Sequence, residues 1–144
     1  MKITICGSMA FAKEMLEIQR ALEKKGHTVF MPDETEAYAH DVELSLSAVS
    51  GIPEVGAERK ISRDLIRKHY DKIGNSDAIL VLNYDRRGIK GYIGGNSFLE
   101  MGFAHILQKP IYLFNDMPHE MHFILEEVKA MRPLVLNGDL LRLV

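Results

Sequence analysis

The chain has 144 residues, a net charge of −2 at neutral pH and 47% hydrophobic residues. This length predicts one domain over residues 1–144, and the small negative charge argues against binding to nucleic-acid polymers or to an anionic membrane surface. No apolar run approaches the roughly 20 residues of a membrane span. Because Cys6 is the single cysteine, no intrachain disulfide can form, which suits a reducing compartment, and we expect a cytoplasmic protein.

The first third of the chain predicts a strand, a helix and a second strand. Lys2–Cys6 is a short apolar run with β-branched residues, followed by a Gly-Ser turn. Apolar residues recur at helical spacing within 9–25, and lysines before Gly26 are typical of a helix end. His27–Met31 is the second predicted strand.

Residues 33–57 have the least regular pattern in the chain. A helix is predicted within Asp33–Leu46, whereas the glycines and proline of residues 50–56 favour a non-helical segment. A long irregular segment in a small domain often covers or binds a substrate. We therefore expect this segment to lie near the functional site.

The middle of the chain predicts a helix, a buried strand and a loop. Glu58–Ile73 is amphipathic and predicts one helix. Asp77–Asn83 is a nearly continuous apolar run, as expected for a strand covered on both faces. Tyr84–Gly95 carries glycines and arginines and predicts a loop.

The last third alternates helices and strands, which completes an α/β pattern. The predicted elements are Asn96–Leu107, Pro110–Phe114, Pro118–Met131 and Pro133–Leu136. Strands that alternate with helices form right-handed units on a parallel sheet, here of about five strands. Such sheets bind ligands at the carboxyl ends of their strands.

A glycine-rich turn before the helix predicted over Asn96–Leu107 is the most informative stretch. Gly94 and Gly95 would let the backbone approach a ligand, and free N–H groups at the helix start favour an anion. Glu100 lies near that start, where the helix dipole is expected to lower its pKa. An ionised carboxylate can attack an anomeric carbon. The alternative is that Glu100 only compensates the dipole, in a capping box with Asn96 or Ser97.

Three blocks of sequence resemble the nucleoside 2-deoxyribosyltransferase family, which includes deoxynucleoside 5′-monophosphate N-glycosidases. The blocks are ITICGS at 3–8, DAILVLN at 77–83 and GGNSFLEMGFAHILQKPI at 94–111. The resemblance implies a flavodoxin-like three-layer sandwich, a nucleotide or nucleoside as small-molecule partner, and a homodimer or larger assembly. It also implies that Glu100 is a nucleophile that forms a glycosyl-enzyme. We expect no cofactor.

Two departures from the family pattern leave the activity open. His69 stands where the family usually has an aspartate, and Thr4 stands at an aromatic position. His69 could donate a proton to a leaving base or be a solvated helix residue. A non-catalytic nucleotide-binding sensor is the alternative function. The glycine-glutamate spacing also partly resembles the PGG-x-GT-x-x-E signature of cytokinin-type phosphoribohydrolases.

A basic cluster in the loop before the glycines suggests a nucleotide rather than a nucleoside. Arg86 and Arg87 are expected to bind phosphate, although a solvated loop would look the same. Ser8 and Ser97 could bind phosphate or sugar, or could be plain helix caps. The residues predicted to bind substrate are Gly7, Ser8, Asn83, Arg86, Arg87, Gly94, Gly95, Asn96 and Ser97.

The remaining candidates carry weaker signals. His119 and His122 could face one metal ion, but no further ligand pattern supports this, and we expect no metal site. Cys6 is predicted to be a buried structural thiol. The charged runs at 58–60 and 67–68 are interpreted as solvated helix faces.

Overall fold

The computed structural model describes residues 1–50 and 53–144, and within these ranges it contains five strands and seven α-helices. Strands β1 to β5 are Lys2–Cys6, Thr28–Phe30, Ala78–Val81, Ile111–Leu113 and Leu134–Val135. Helices α1 to α7 are Ala12–Lys24, Thr35–His40, Val42–Ser50, Pro53–Arg63, Leu65–Gly74, Gly95–Ile106 and His122–Ala130. Short 3-10 helices occupy Met9–Phe11 and Leu140–Arg142.

The five strands form one parallel sheet in the order β2-β1-β3-β4-β5. This is the strand order of flavodoxin-like folds, in which the chain changes direction along the sheet between β1 and β3. The predicted flavodoxin-like α/β fold and the five-stranded parallel sheet are therefore confirmed. Loops that follow the strands meet at the carboxyl edge, where this fold class binds its ligands.

Alternation along β1 divides its side chains between two apolar layers. Ile3 and Ile5 pack with α1 on one face. Cys6 packs on the other face, in the layer that α5, α6 and α7 complete. Thr4 also points to this second face, because its hydroxyl donates to the carbonyl of Lys72 in α5 at 3.1 Å. The last residue of β1 is thereby brought beneath α5 and α6.

The structure corrects three helix boundaries. The single helix predicted over 58–73 is broken at Asp64, whose φ of 49° is left-handed and ends the helical path between α4 and α5. Residues 53–56, predicted to be non-helical, begin α4, where a proline in the first turn is well tolerated. Residues 51 and 52 lie outside the described residues. Helix α7 begins at His122 rather than near Pro118.

No helix in the described part of the chain combines the length and the apolar character that crossing a membrane requires. The cytoplasmic location stays a prediction.

Candidate active site

A cavity of about 100 Å³ lies at the carboxyl ends of β1 and β2. Met9 follows β1 and Pro32 follows β2, and both contribute to its wall together with Tyr38 and Leu65. The opposite side is formed by polar residues of α5 and α6. The cavity therefore occupies the sheet edge where the fold class predicts a ligand, and the segment of residues 33–57 contributes to it as expected.

Glu100 lies at the floor of this cavity and is only 4% exposed. It is the sixth residue of α6, one turn beyond the helix start. Its Oε1 accepts a hydrogen bond from Asn96 Nδ2 at 2.8 Å and lies 3.6 Å from His69 Nε2. Its Oε2 is buried without a hydrogen-bond partner among the described residues.

The environment of Glu100 shifts its pKa in the direction opposite to the one expected from the helix dipole. Burial in an apolar layer raises its pKa to about 8, whereas hydrogen bonds from Cys6 and Asn96 and the charge of Lys60 only partly oppose this. The capping-box alternative does not describe the structure either, because the N-cap is Gly94, which has no side chain, and the Asn96 amide donates to Glu100 instead. A carboxyl group in the second turn feels the dipole weakly, so desolvation dominates.

His69 is buried beside Glu100 rather than solvated. Burial lowers its pKa to about 4, assisted by the charge of Lys72 and opposed by the backbone of Ile5. Its Nε2 lies 3.5 Å from the thiol of Cys6, and its Nδ1 forms no hydrogen bond with the described residues. At neutral pH the pair therefore shares one proton, held on Glu100, while the imidazole is neutral.

Cys6, His69 and Glu100 are also the described residues whose donor atoms cluster most like a metal site. One atom from each lies within 4.8 Å of the others. To bind a soft divalent metal ion, Cys6 would have to be a thiolate and Glu100 a carboxylate. Burial raises the pKa of both groups, that of Cys6 well above its usual value. In the metal-free protein the thiol of Cys6 and the carboxyl group of Glu100 are therefore protonated at neutral pH and His69 is neutral. The thiol is buried, as the sequence predicted.

Four cationic side chains line the cavity, and sequence reasoning missed all of them. Lys72 binds Asp33 and donates to the carbonyl of Met31 at 2.7 Å. Arg59 binds the buried Glu34. Both cations are therefore paired with carboxylates that follow β2, and Glu34 also accepts a hydrogen bond from Arg63 at 2.6 Å.

Lys60 and Lys68 also line the cavity, but neither forms a salt bridge or side-chain hydrogen bond with a described residue. Both had been interpreted as parts of solvated helix faces. The available signal was the helical spacing that places Lys68, His69 and Lys72 near one another on α5.

The structure places Arg86 beside the cavity rather than in it. Its guanidinium donates to Ser8 Oγ at 3.0 Å and to the carbonyls of Ala48 at 2.6 Å and Val49 at 3.3 Å. These contacts tie the loop after β3 to the loop after β1 and to α3. Arg87 is exposed in a left-handed turn with φ of 54°. Neither arginine lines the cavity.

Asn83 is fully buried and joins two loops at the carboxyl edge. Its amide nitrogen donates to the carbonyl of Asp116 at 2.8 Å, and its amide oxygen accepts from the backbone N–H of Asn115 at 2.8 Å. Gly91 completes the junction with φ of 63°, since a Cβ there would lie 2.4 Å from the Asp116 carbonyl oxygen. The arrangement supports the loops and leaves the Asn83 side chain little capacity for a ligand.

The other predicted substrate-binding residues divide according to their distance from the cavity. Asn96 lines it and contacts Glu100. Gly94 and Gly95 form the start of α6, and Ser97 is buried in its first turn. Gly7 follows β1, where a Cβ would lie 2.7 Å from Met15 Cε. Close packing against α1 explains this glycine.

Comparison with known proteins finds a likeness among solved structures. No protein-family model matches the chain, and no curated protein matches it. Among solved structures, it is similar to a 2-deoxyribosyltransferase from Bacillus psychrosaccharolyticus, with 24% identity and a TM-score of 0.46. The likeness covers 79% of this chain and 72% of that chain. Membership of the family and the predicted homodimer stay predictions.

Proposed function

We propose that the protein cleaves or transfers the N-glycosidic bond of a nucleotide or nucleoside, with Glu100 as the nucleophile. The observation that carries this proposal is the position of the Glu100 carboxyl group. It is buried at the floor of a cavity at the sheet's ligand edge and is held by Asn96, and one of its oxygens has no hydrogen-bond partner among the residues that the structure describes. His69 lies beside it as a proton carrier.

The first chemical step requires one proton to move within the site. Glu100 passes its proton to His69 Nε2, across a gap of 3.6 Å that must shorten when substrate binds. As this proton moves, the carboxylate oxygen forms a bond to C1′ while the bond from C1′ to the base breaks. The bonding electron pair leaves with the base, and the imidazolium of His69 returns the proton to a base nitrogen.

The second step releases the sugar from Glu100. Water, or a second base, attacks C1′ and gives up a proton to the neutral imidazole, and the ester bond to Glu100 breaks. The carboxylate then recovers its proton from His69. Two displacements at C1′ predict retention of configuration. Water gives hydrolysis and a base gives transfer.

The dimensions of the cavity indicate which part of the substrate is enclosed. At about 100 Å³ it is smaller than the roughly 300 Å³ or more of pockets that surround a whole small molecule. We infer that the sugar is enclosed above Glu100 and that the apolar wall formed by Met9, Pro32 and Tyr38 faces the base.

The proposal is tested by incubating the protein with ribo- and deoxyribonucleosides and their 5′-monophosphates and measuring free base by chromatography. Wild type is compared with Glu100→Gln and with Glu126→Gln, an exposed glutamate on α7. We expect base release by wild type and Glu126→Gln and its loss in Glu100→Gln. Intact mass spectrometry should detect a sugar adduct in wild type alone. Base release that persists in Glu100→Gln would contradict the proposal.

One observation favours a non-catalytic nucleotide-binding module as the second candidate. A carboxyl group with a pKa of about 8 is mostly protonated at neutral pH and is a weak nucleophile in that state. If this function is correct, nucleotides bind to wild type and Glu100→Gln with similar affinity and neither protein releases base.

A further inference from the structure

The cavity has a surplus of positive charge in a chain whose net charge is negative. Among the described residues its lining contains four cations, Arg59, Lys60, Lys68 and Lys72, and two carboxylates that pair with cations of the lining. Asp33 binds Lys72, and Glu34 binds Arg59 together with Arg63, which lies outside the lining. Glu100 and His69 add no charge at neutral pH. Two positive charges therefore remain unmatched among the described residues of the lining, whereas the whole chain carries −2.

The two unmatched cations are Lys60 on α4 and Lys68 on α5, both exposed at the mouth of the cavity. Lys60 is close enough to the floor to act electrostatically on Glu100, and Lys68 acts in the same way on Asp33. They approach the mouth from two helices that meet at Asp64. A ligand seated above Glu100 would therefore occupy a cavity whose lining includes both lysines.

We propose that the ligand of this cavity is a nucleoside monophosphate and that Lys60 and Lys68 bind its phosphate. A phosphate monoester carries about −1.5 to −2 charges at neutral pH, which matches the surplus of the lining. A neutral nucleoside would leave both charges uncompensated. Of the two arginines expected in this role, Arg86 already donates to Ser8 and to two backbone carbonyls, and Arg87 does not line the cavity.

The inference rests on the proposed function only for the position of the sugar above Glu100, and its test measures binding rather than turnover. In a Glu100→Gln background, titration calorimetry compares each nucleoside with its 5′-monophosphate. The variants are Lys60→Ala with Lys68→Ala, the charge-conserving Lys60→Arg with Lys68→Arg, and the control Lys13→Ala with Lys129→Ala. The control lysines are exposed on α1 and α7 and lie outside the cavity.

We expect the preference for monophosphate over nucleoside to fall about tenfold or more in the alanine pair. The arginine pair and the control pair should keep most of this preference. Added inorganic phosphate should compete with the monophosphate in every variant except the alanine pair. Equal losses for nucleoside and monophosphate would overturn the inference, as would a wild-type site without preference. If base release is absent but the preference is found, the proposed function fails and the phosphate site stands.

Discussion

Replacement of Glu100 by glutamine should reduce the loss of folding stability that wild type shows as pH rises. The folded-state pKa of Glu100 is about 8, against 4.5 for the unconstrained group, so the folded state binds its proton more tightly than the unfolded state. The contribution of Glu100 to stability therefore falls as pH rises from 4.5 to about 8. Glutamine is neutral throughout and keeps an oxygen that can accept from Asn96.

The size of the stability difference follows from the pH range in which the contribution of Glu100 is not offset by that of His69. His69 has a folded pKa of about 4 against 6.5, so its contribution rises with pH between these values and opposes that of Glu100. Above pH 6.5 mainly the Glu100 contribution remains. At about 1.4 kcal/mol per pH unit, the free energy of unfolding of wild type should fall relative to Glu100→Gln by about 2 kcal/mol between pH 6.5 and 8.

Urea denaturation at pH 5, 6.5, 7.25 and 8 would measure this difference, since the midpoint changes while the slope stays constant. Glu126→Gln provides the matched control, because that exposed side chain should leave the pH dependence as it is in wild type. If Glu100→Gln lost stability between pH 6.5 and 8 as steeply as wild type, the carboxyl group would not be protonated in the folded protein. The shared-proton arrangement with His69 would then be wrong.

Three further predictions concern catalysis and the support of the site. Because Glu100 and His69 together hold one proton between pH values of about 4 and 8, kcat/KM should be level in that range and fall outside it; a steady rise through pH 8 would mean that the proton is not used. His69→Asn should lower kcat by about 100-fold or more for ordinary bases but much less for a base that leaves without protonation, as single-turnover kinetics would reveal. Arg86→Ala should lower the free energy of unfolding, measured with urea, by about 1–2 kcal/mol, because the hydrogen bonds to Ser8 and α3 are lost. It should weaken the binding of monophosphates and of nucleosides equally. Selective weakening of monophosphate binding would instead assign the phosphate to Arg86.

The sequence was sufficient for the sheet and for the edge at which the cavity lies. Apolar runs of strand length, separated by amphipathic stretches, leave few alternatives to a parallel sheet, and the glycine turn before Glu100 follows the strand at the switch point. The break at Asp64 was not predictable in the same way. The flanking residues keep a helical pattern, and no residue type around Asp64 marks it as the one that adopts a left-handed conformation.

The composition of the site was harder to predict because it depends on contacts between distant segments. Cys6, His69 and Glu100 come from β1, α5 and α6, and only packing of both helices over the end of β1 brings them together. The pKa of Glu100 was predicted with the wrong sign because helix position is visible in a sequence and depth of burial is not. Lys60 was interpreted as part of a solvated helix face and is indeed exposed, but the sequence did not show that this face also lines the cavity.

A nucleophile that is protonated at rest is consistent with catalysis when the charge that develops on the substrate is considered. Cleavage at C1′ creates positive charge on the sugar, directly above the Glu100 carboxyl group in the proposed pose. That charge would lower the pKa of Glu100 during the reaction, so its carboxylate is stabilised in the transition state more than in the free protein. The same burial that raises the resting pKa strengthens this attraction, because water does not screen it. Proton transfer to His69 then becomes favourable only as a glycosidic bond breaks. The reactive carboxylate would therefore form only when a substrate is reacting and would not react with other molecules.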